Sequence, residues 1–191
     1  MIQELMGKME TSMLGRMETD RTMWFSMWFL GAITTFGAAF FPMFYRLIDS
    51  RNRHFRREAK LEAQIVQWLA KQGKEAPATT CPVDMKAKAW AASIILIIPA
   101  FIITYHLSKD LLVHEKHQDM FLANVFPQRM FMPQTIPIKK YALITIVTLG
   151  VGGVYWLYRV VNLYNAHFKA QWKVEKEIAR LMEEKTLVEH V

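Results

Sequence analysis

The chain has 191 residues, 52% hydrophobic and 21% charged, with a formal net charge of +7 at pH 7 and a single cysteine, which excludes a disulfide scaffold. Three stretches contain no Asp, Glu, Lys or Arg: residues 22–45, 89–108 and 141–158, of 24, 20 and 18 residues. Since about 20 apolar residues cross a bilayer core, these lengths argue against an ordinary soluble domain.

In chain order, residues 1–21 come first. Ile2, Met6, Met9, Met13 and Met17 recur every three or four positions, forming one apolar stripe of a helix. With no apolar core and no small-residue cleavage site, the segment reads as an interfacial helix on the outer side rather than a signal peptide. The stripe is expected to cover lipid or a partner, because Met adapts to irregular surfaces. Residues 22–73 read as a first membrane span continuing into a cytoplasmic amphipathic helix that ends near Gly73, and residues 74–88 as a cytoplasmic linker that carries Cys81. Residues 89–108 read as a second span, which Pro99 is expected to kink. Residues 109–140 form an outer loop with a Met- and Phe-rich interfacial segment. Residues 141–187 repeat the span-plus-helix pattern, and 188–191 are a tail. Gly150, Gly152 and Gly153 offer a smooth face to a neighbouring helix. Trp24, Trp28, Trp90, Tyr105, Tyr141, Tyr155 and Trp156 lie near span ends, as an aromatic belt does. The fold class expected is all-α: an integral membrane protein with three transmembrane helices.

Lys and Arg set the orientation. Residues 46–60 hold Arg46, Arg51, Arg53, Arg56, Arg57 and Lys60, and residues 159–185 are similarly basic, whereas the N-terminus and the 106–138 loop are poor in cations. This places the N-terminus and that loop outside the cell membrane, and residues 46–88 and the C-terminus in the cytoplasm. The basic faces are expected to meet anionic lipid. No nucleic-acid motif accompanies them, so nucleic acid is not an expected partner.

The chain also repeats itself. A shift of 113 residues aligns 30–69 with 143–182 and gives 12 identities in 40 positions, among them Thr35/Thr148, Gly37/Gly150, Asn52/Asn165, His54/His167, Phe55/Phe168 and Glu62/Glu175. Both copies run from outside to inside, so the repeat is parallel. The apolar stripes of the two cytoplasmic helices match in phase: Leu61, Ile65, Trp68 and Leu69 correspond to Val174, Ile178, Leu181 and Met182. Two such stripes are expected to pair with each other or with a partner. His54 and His167 are placed to hydrogen-bond across the pseudo-axis or to face lipid headgroups.

The run Thr148-Leu149-Gly150 followed by Tyr155-Trp156-Leu157-Tyr158-Arg159 resembles the signature of a family of small prokaryotic multi-span membrane proteins. The resemblance covers roughly residues 141–168, with a fainter copy at 33–55, where Pro42-Met43 replaces the Tyr-Trp pair. It implies a membrane location and helix packing, and no activity.

For chemistry, the outer loop offers His114, His117 and Met120, which share a helix face and could hold zinc or copper. Two His alone do not close a site, and a solvated loop helix is the plainer reading. The spans lack the acidic or basic residue that marks an ion path, and no nucleotide, hydrolase or metalloprotease motif occurs. The expected function is therefore a non-catalytic accessory or structural subunit of a larger membrane complex, partnered by other integral membrane subunits. The composition suggests a copper-dependent membrane monooxygenase of the ammonia or methane type as host. The alternatives are a copper-handling membrane protein and a self-associating membrane organiser.

Overall fold

The computed structural model describes residues 7, 10, 11, 13–75, 83–126, 129, 130 and 132–188; Met6, Met9 and Cys81 lie outside these, as does the side chain of Met182. Among the described residues the chain is helical without strands, as the sequence predicts. The charge-free stretches, however, do not each make one long helix. After a helical turn at Arg16–Thr19 come α1 (Phe25–Thr34), α2 (Phe40–Lys71), α3 (Ala87–Ser93), α4 (Ile98–Val125), α5 (Ile138–Val147) and α6 (Val151–Val188). Each stretch breaks in its middle and folds back as a hairpin. Among the described residues no helix is long and apolar enough to cross a membrane.

The reversals follow from local sequence. In the first hairpin Phe36 and Gly37 take φ of 50° and 91°; in the third, Leu149 and Gly150 take 49° and 99°. Gly37 N–H closes the turn on Ala32 O at 2.7 Å, and Gly150 N–H on Thr145 O at 2.8 Å, the long-range bond that ends a helix in a left-handed residue. Thr35 and Thr148 then serve both arms. Each hydroxyl donates to the carbonyl four residues back (Gly31, Ile144) and accepts the N–H four residues on (Ala39, Gly152). The Thr-x-Gly shared by the repeats is thus a hairpin tip. In the second hairpin a 3₁₀ turn at Ile94–Leu96 leads to Ile97 at φ 62°. Pro99 sits in the first turn of α4, where its missing N–H costs nothing, so it begins the returning helix instead of kinking a span.

Cross-arm contacts prove the reversals. The Tyr141 and Tyr155 rings lie 6.0 Å apart, and the Trp90 and His106 rings 6.1 Å apart. In one continuous helix residues 14 to 16 apart would be separated by more than about 20 Å. The expected close approach at glycine is present: a Cβ on Gly153 would run into the Phe101 ring, and one on Gly152 into Ile144.

The long arms α2, α4 and α6 all start at a tip and run the same way, making a parallel three-helix bundle. Its core near the hairpins includes Ile48, Leu107, Leu111, Val160 and Tyr164. Its far end buries Leu61, Ile65, Trp68 and Leu69 of α2 against Val174 and Ile178 of α6, with Leu181 half-buried beside them and Phe121, Leu122 and Val125 of α4 between. These stripes do pair, but they form this chain's own core and leave little face for a partner. Of the N-terminal stripe, Met13 packs on the same cluster and Met17 is exposed.

The orientation also changes. Segments expected on opposite sides of a membrane touch: His114 of the 106–138 segment lies 2.6 Å from Glu58, and Asp20 lies 2.8 Å from His54. The N-terminal segment and the three long arms therefore pack into one body. The basic run is divided as well, because Arg51 and Arg57 point inward, to Asp110 and to Asp20 and Glu175, and are not free for lipid.

Candidate metal centre

Midway along the bundle, the three long arms bring together four buried side chains: His54 and Glu58 of α2, His114 of α4 and His167 of α6. His54 and Glu58 share a helix face because they are four residues apart. One ligand atom from each lies within 4.8 Å of all the others. Donors at about 2.0 Å from a tetrahedral ion stand about 3.3 Å apart. Three of the six donor pairs, at 2.6, 3.0 and 3.2 Å, lie at or just below that spacing, and all lie within 4.8 Å.

An outer layer fixes the rings. Asp20 Oδ1 accepts from His54 Nδ1 at 2.8 Å, and Glu115 Oε1 from His167 Nδ1 at 3.1 Å. Asp20 is also held by Arg57 (2.7 Å), Trp172 (2.8 Å) and Thr19 (2.8 Å), and Glu115 by the Gln134 N–H. Burial alone would raise the Asp20 carboxyl, but His54, Arg57 and Thr19 hold it down at about 2. Asp20, held as a carboxylate, only accepts, so His54 Nδ1 carries a hydrogen, and the Nε2 atoms of both rings turn inward. Those two Nε2 atoms face each other at 3.0 Å, with Glu58 Oε2 at 3.2 Å from the first. His114 Nε2 approaches the same oxygen at 2.6 Å, yet both atoms stay buried without an aligned hydrogen bond. Three ring nitrogens and a carboxylate oxygen converging in this way can share a cation among them.

A proton can be that cation. Burial opposes charge on His54, but Asp20 and Glu58 outweigh it and push the ring up to about 9, while burial takes His167 down to about 4. Burial would raise Glu58, and His114 and His54 hold it well below the usual carboxylate range. The wider charge count asks for more than one proton. Asp20, Glu58, Glu115 and Glu175 are four buried carboxyl groups, and Arg57 is the guanidinium among them, 2.6 Å from Glu175. Uncompensated buried charge costs several kcal/mol per ion, and a doubly charged ion would offset part of it.

Of the three metal ligands expected from the sequence, only His114 joins the cluster. His117, one turn on, faces Glu62 at 3.5 Å, and Met120 is exposed. His54 and His167 do meet across the repeat axis, one of the two placements their alignment left open. Their counterparts Asn52 and Asn165 do something else: each amide clamps the backbone of the residue before a hairpin, Asn52 at Met85 and Asn165 at Met23. Glu58, Asp20 and Glu115 carried no visible signal. Glu58 sits four residues after His54, but its repeat image is Gln171, which pairs with Gln118.

Glu62 gives a pH test of this region. Burial, and then Glu58, raise its carboxyl from an ordinary 4.5 to about 8. The protonated group's contribution is complete below pH 4.5 and is lost as pH rises through 8. In metal-free protein Glu62→Gln should raise the melting temperature by several degrees at pH 9 and by almost nothing at pH 5, read by calorimetry.

Comparison with protein families, with curated proteins and with solved structures finds no match.

Proposed function

We propose that this chain is a membrane-associated metal-binding protein in which His54, Glu58, His114 and His167 hold one divalent transition-metal ion. The observation that carries this reading is the convergence of three buried ring nitrogens and the Glu58 carboxylate oxygen, with the outer nitrogens of His54 and His167 pinned by Asp20 and Glu115. Three imidazoles and one carboxylate suit zinc or iron in the divalent state; the absence of thiolate or thioether from the four argues against copper(I). Protein donors take all four tetrahedral positions and are buried, the mark of a structural ion. The ion would tie the three long arms together, and the protein would be non-catalytic. Membrane association rests on the apolar hairpins.

A place as a non-catalytic subunit of a larger membrane complex is the second reading, favoured by the exposed Leu14 and Met17 on the N-terminal segment. A copper-dependent host gains no residue, since the exposed Met120 stands apart from the four donors.

The direct test is metal uptake. Protein stripped of metal should take up one equivalent of zinc or ferrous ion per chain, measured by titration and elemental analysis. Uptake below a tenth of an equivalent would remove the reading.

A further inference from the structure

We propose that the three hairpin tips insert together into one leaflet of a phospholipid bilayer, without crossing it, so that the rest of the described chain lies on one side. This rests on the membrane-association part of the reading above and is independent of the metal.

Four observations point to lipid as the occupant. The first is that the tips converge. Phe36 and Gly37, Ile95 and Ile97, and Gly150 border one apolar cavity of about 560 Å³, in which Phe101 touches the third hairpin. An apolar cavity open between apolar tips needs an apolar filling, and acyl chains supply one. The second is exposure: Phe36 and Leu149 are fully exposed at their tips, and Ile95, Leu96, Ile97 and Ile98 are about 70% exposed. Such a patch on an isolated chain marks a lipid or protein contact.

The third is depth. Helices α1 and α5 have ten residues each, about 15 Å of rise. That is half of the roughly 30 Å hydrocarbon core, one leaflet. The backbone groups freed at the tips are met internally, by the Gly37 and Gly150 turns and by the two threonines, as lipid demands. The fourth is charge. Every hairpin is bracketed at its base by cations: Arg21 and Arg46, Lys86 and Lys109, Lys139 and Arg159. Phosphate headgroups complement such a ring, and the exposed Trp24, Tyr105 and Tyr158 lie in the zone that interfacial aromatics favour.

The test uses the full chain and vesicles of phosphatidylcholine with phosphatidylglycerol. Phe36 and Leu149 have positive φ, a backbone state that Asp accepts better than most residues. The double variant Phe36→Asp/Leu149→Asp should therefore keep its helical signal while its co-flotation with vesicles falls at least tenfold. In a Cys81→Ser background, Lys60→Cys and Lys116→Cys should both react with an impermeant maleimide from the same face of sealed vesicles. Labelling of only one of them before permeabilisation, with flotation intact, would overturn single-leaflet insertion and leave membrane association standing. Absence of flotation by the parent, with a tip-dependent dimer in its place, would overturn both.

Discussion

Replacing His167 with Ala should empty the metal centre and lower the melting temperature by about 5–10 °C. The imidazole supplies one of four donors and is the α6 contribution to the three-arm tie. Losing an outer partner of a metal ligand weakens binding about 10- to 100-fold, and losing the ligand weakens it more. Each hundredfold loss of affinity removes about 2.7 kcal/mol of linked stability, when metal is in excess and bound only by the folded state. For a chain near 200 residues that is about 5–10 °C. The effects should be graded. His167→Ala should be worst, Glu115→Gln should bind 10- to 100-fold more weakly because it loses only the anchor of Nδ1, and His117→Ala should match the parent. Elemental analysis beside calorimetry reads all three. A parent-like metal content in His167→Ala would exclude this residue as a ligand, whatever its stability.

Arg57→Met should cost about 3–5 kcal/mol with or without metal. The guanidinium is almost wholly buried between Asp20 and Glu175, at 2.7 and 2.6 Å, and its Nε donates to Thr19 at 3.0 Å. Its removal leaves two carboxyl groups facing each other in the core, and breaking a buried pair on one side costs far more than deleting the whole pair. Burial already raises Glu175, with Arg57 pulling the other way, so it is the carboxyl that will take up a proton in the variant. The double variant Arg57→Met/Glu175→Gln should therefore regain part of the loss. Denaturant unfolding measures both. A single variant within 1 kcal/mol of the parent would mean that the arrangement around Asp20 does not hold the α2–α6 contact.

What the sequence made legible was periodic or repeated. The shared stripes of Leu61, Ile65, Val174 and Ile178 predict two packed helices in register, and they pack as one core. The repeat aligns His54 with His167, and the rings meet at 4.9 Å between centroids. Hydropathy misleads over the spans. A charge-free run of 18 to 24 residues measures apolar length, and length is the same for one straight helix as for two short arms. The distinction lies in Thr35, Gly37, Thr148 and Gly150, whose hydroxyls and positive φ reverse the chain. The remaining ligand, Glu58, and the outer residue Asp20 were hidden by distance: they lie in segments with no common spacing to His114, and only the bundle brings Glu58 and the three histidines within reach of one ion. The resemblance to the membrane-protein family, carried by Thr148 to Arg159, falls on a hairpin tip and its returning arm.

X-ray absorption at the metal edge, on protein loaded with one equivalent of zinc, tests the centre most directly. The account predicts a four-coordinate shell of nitrogen and oxygen at about 2.0–2.1 Å, with the outer scattering of three imidazole rings and no sulfur. A shell of six oxygens, a sulfur scatterer, or fewer than two imidazoles would contradict it.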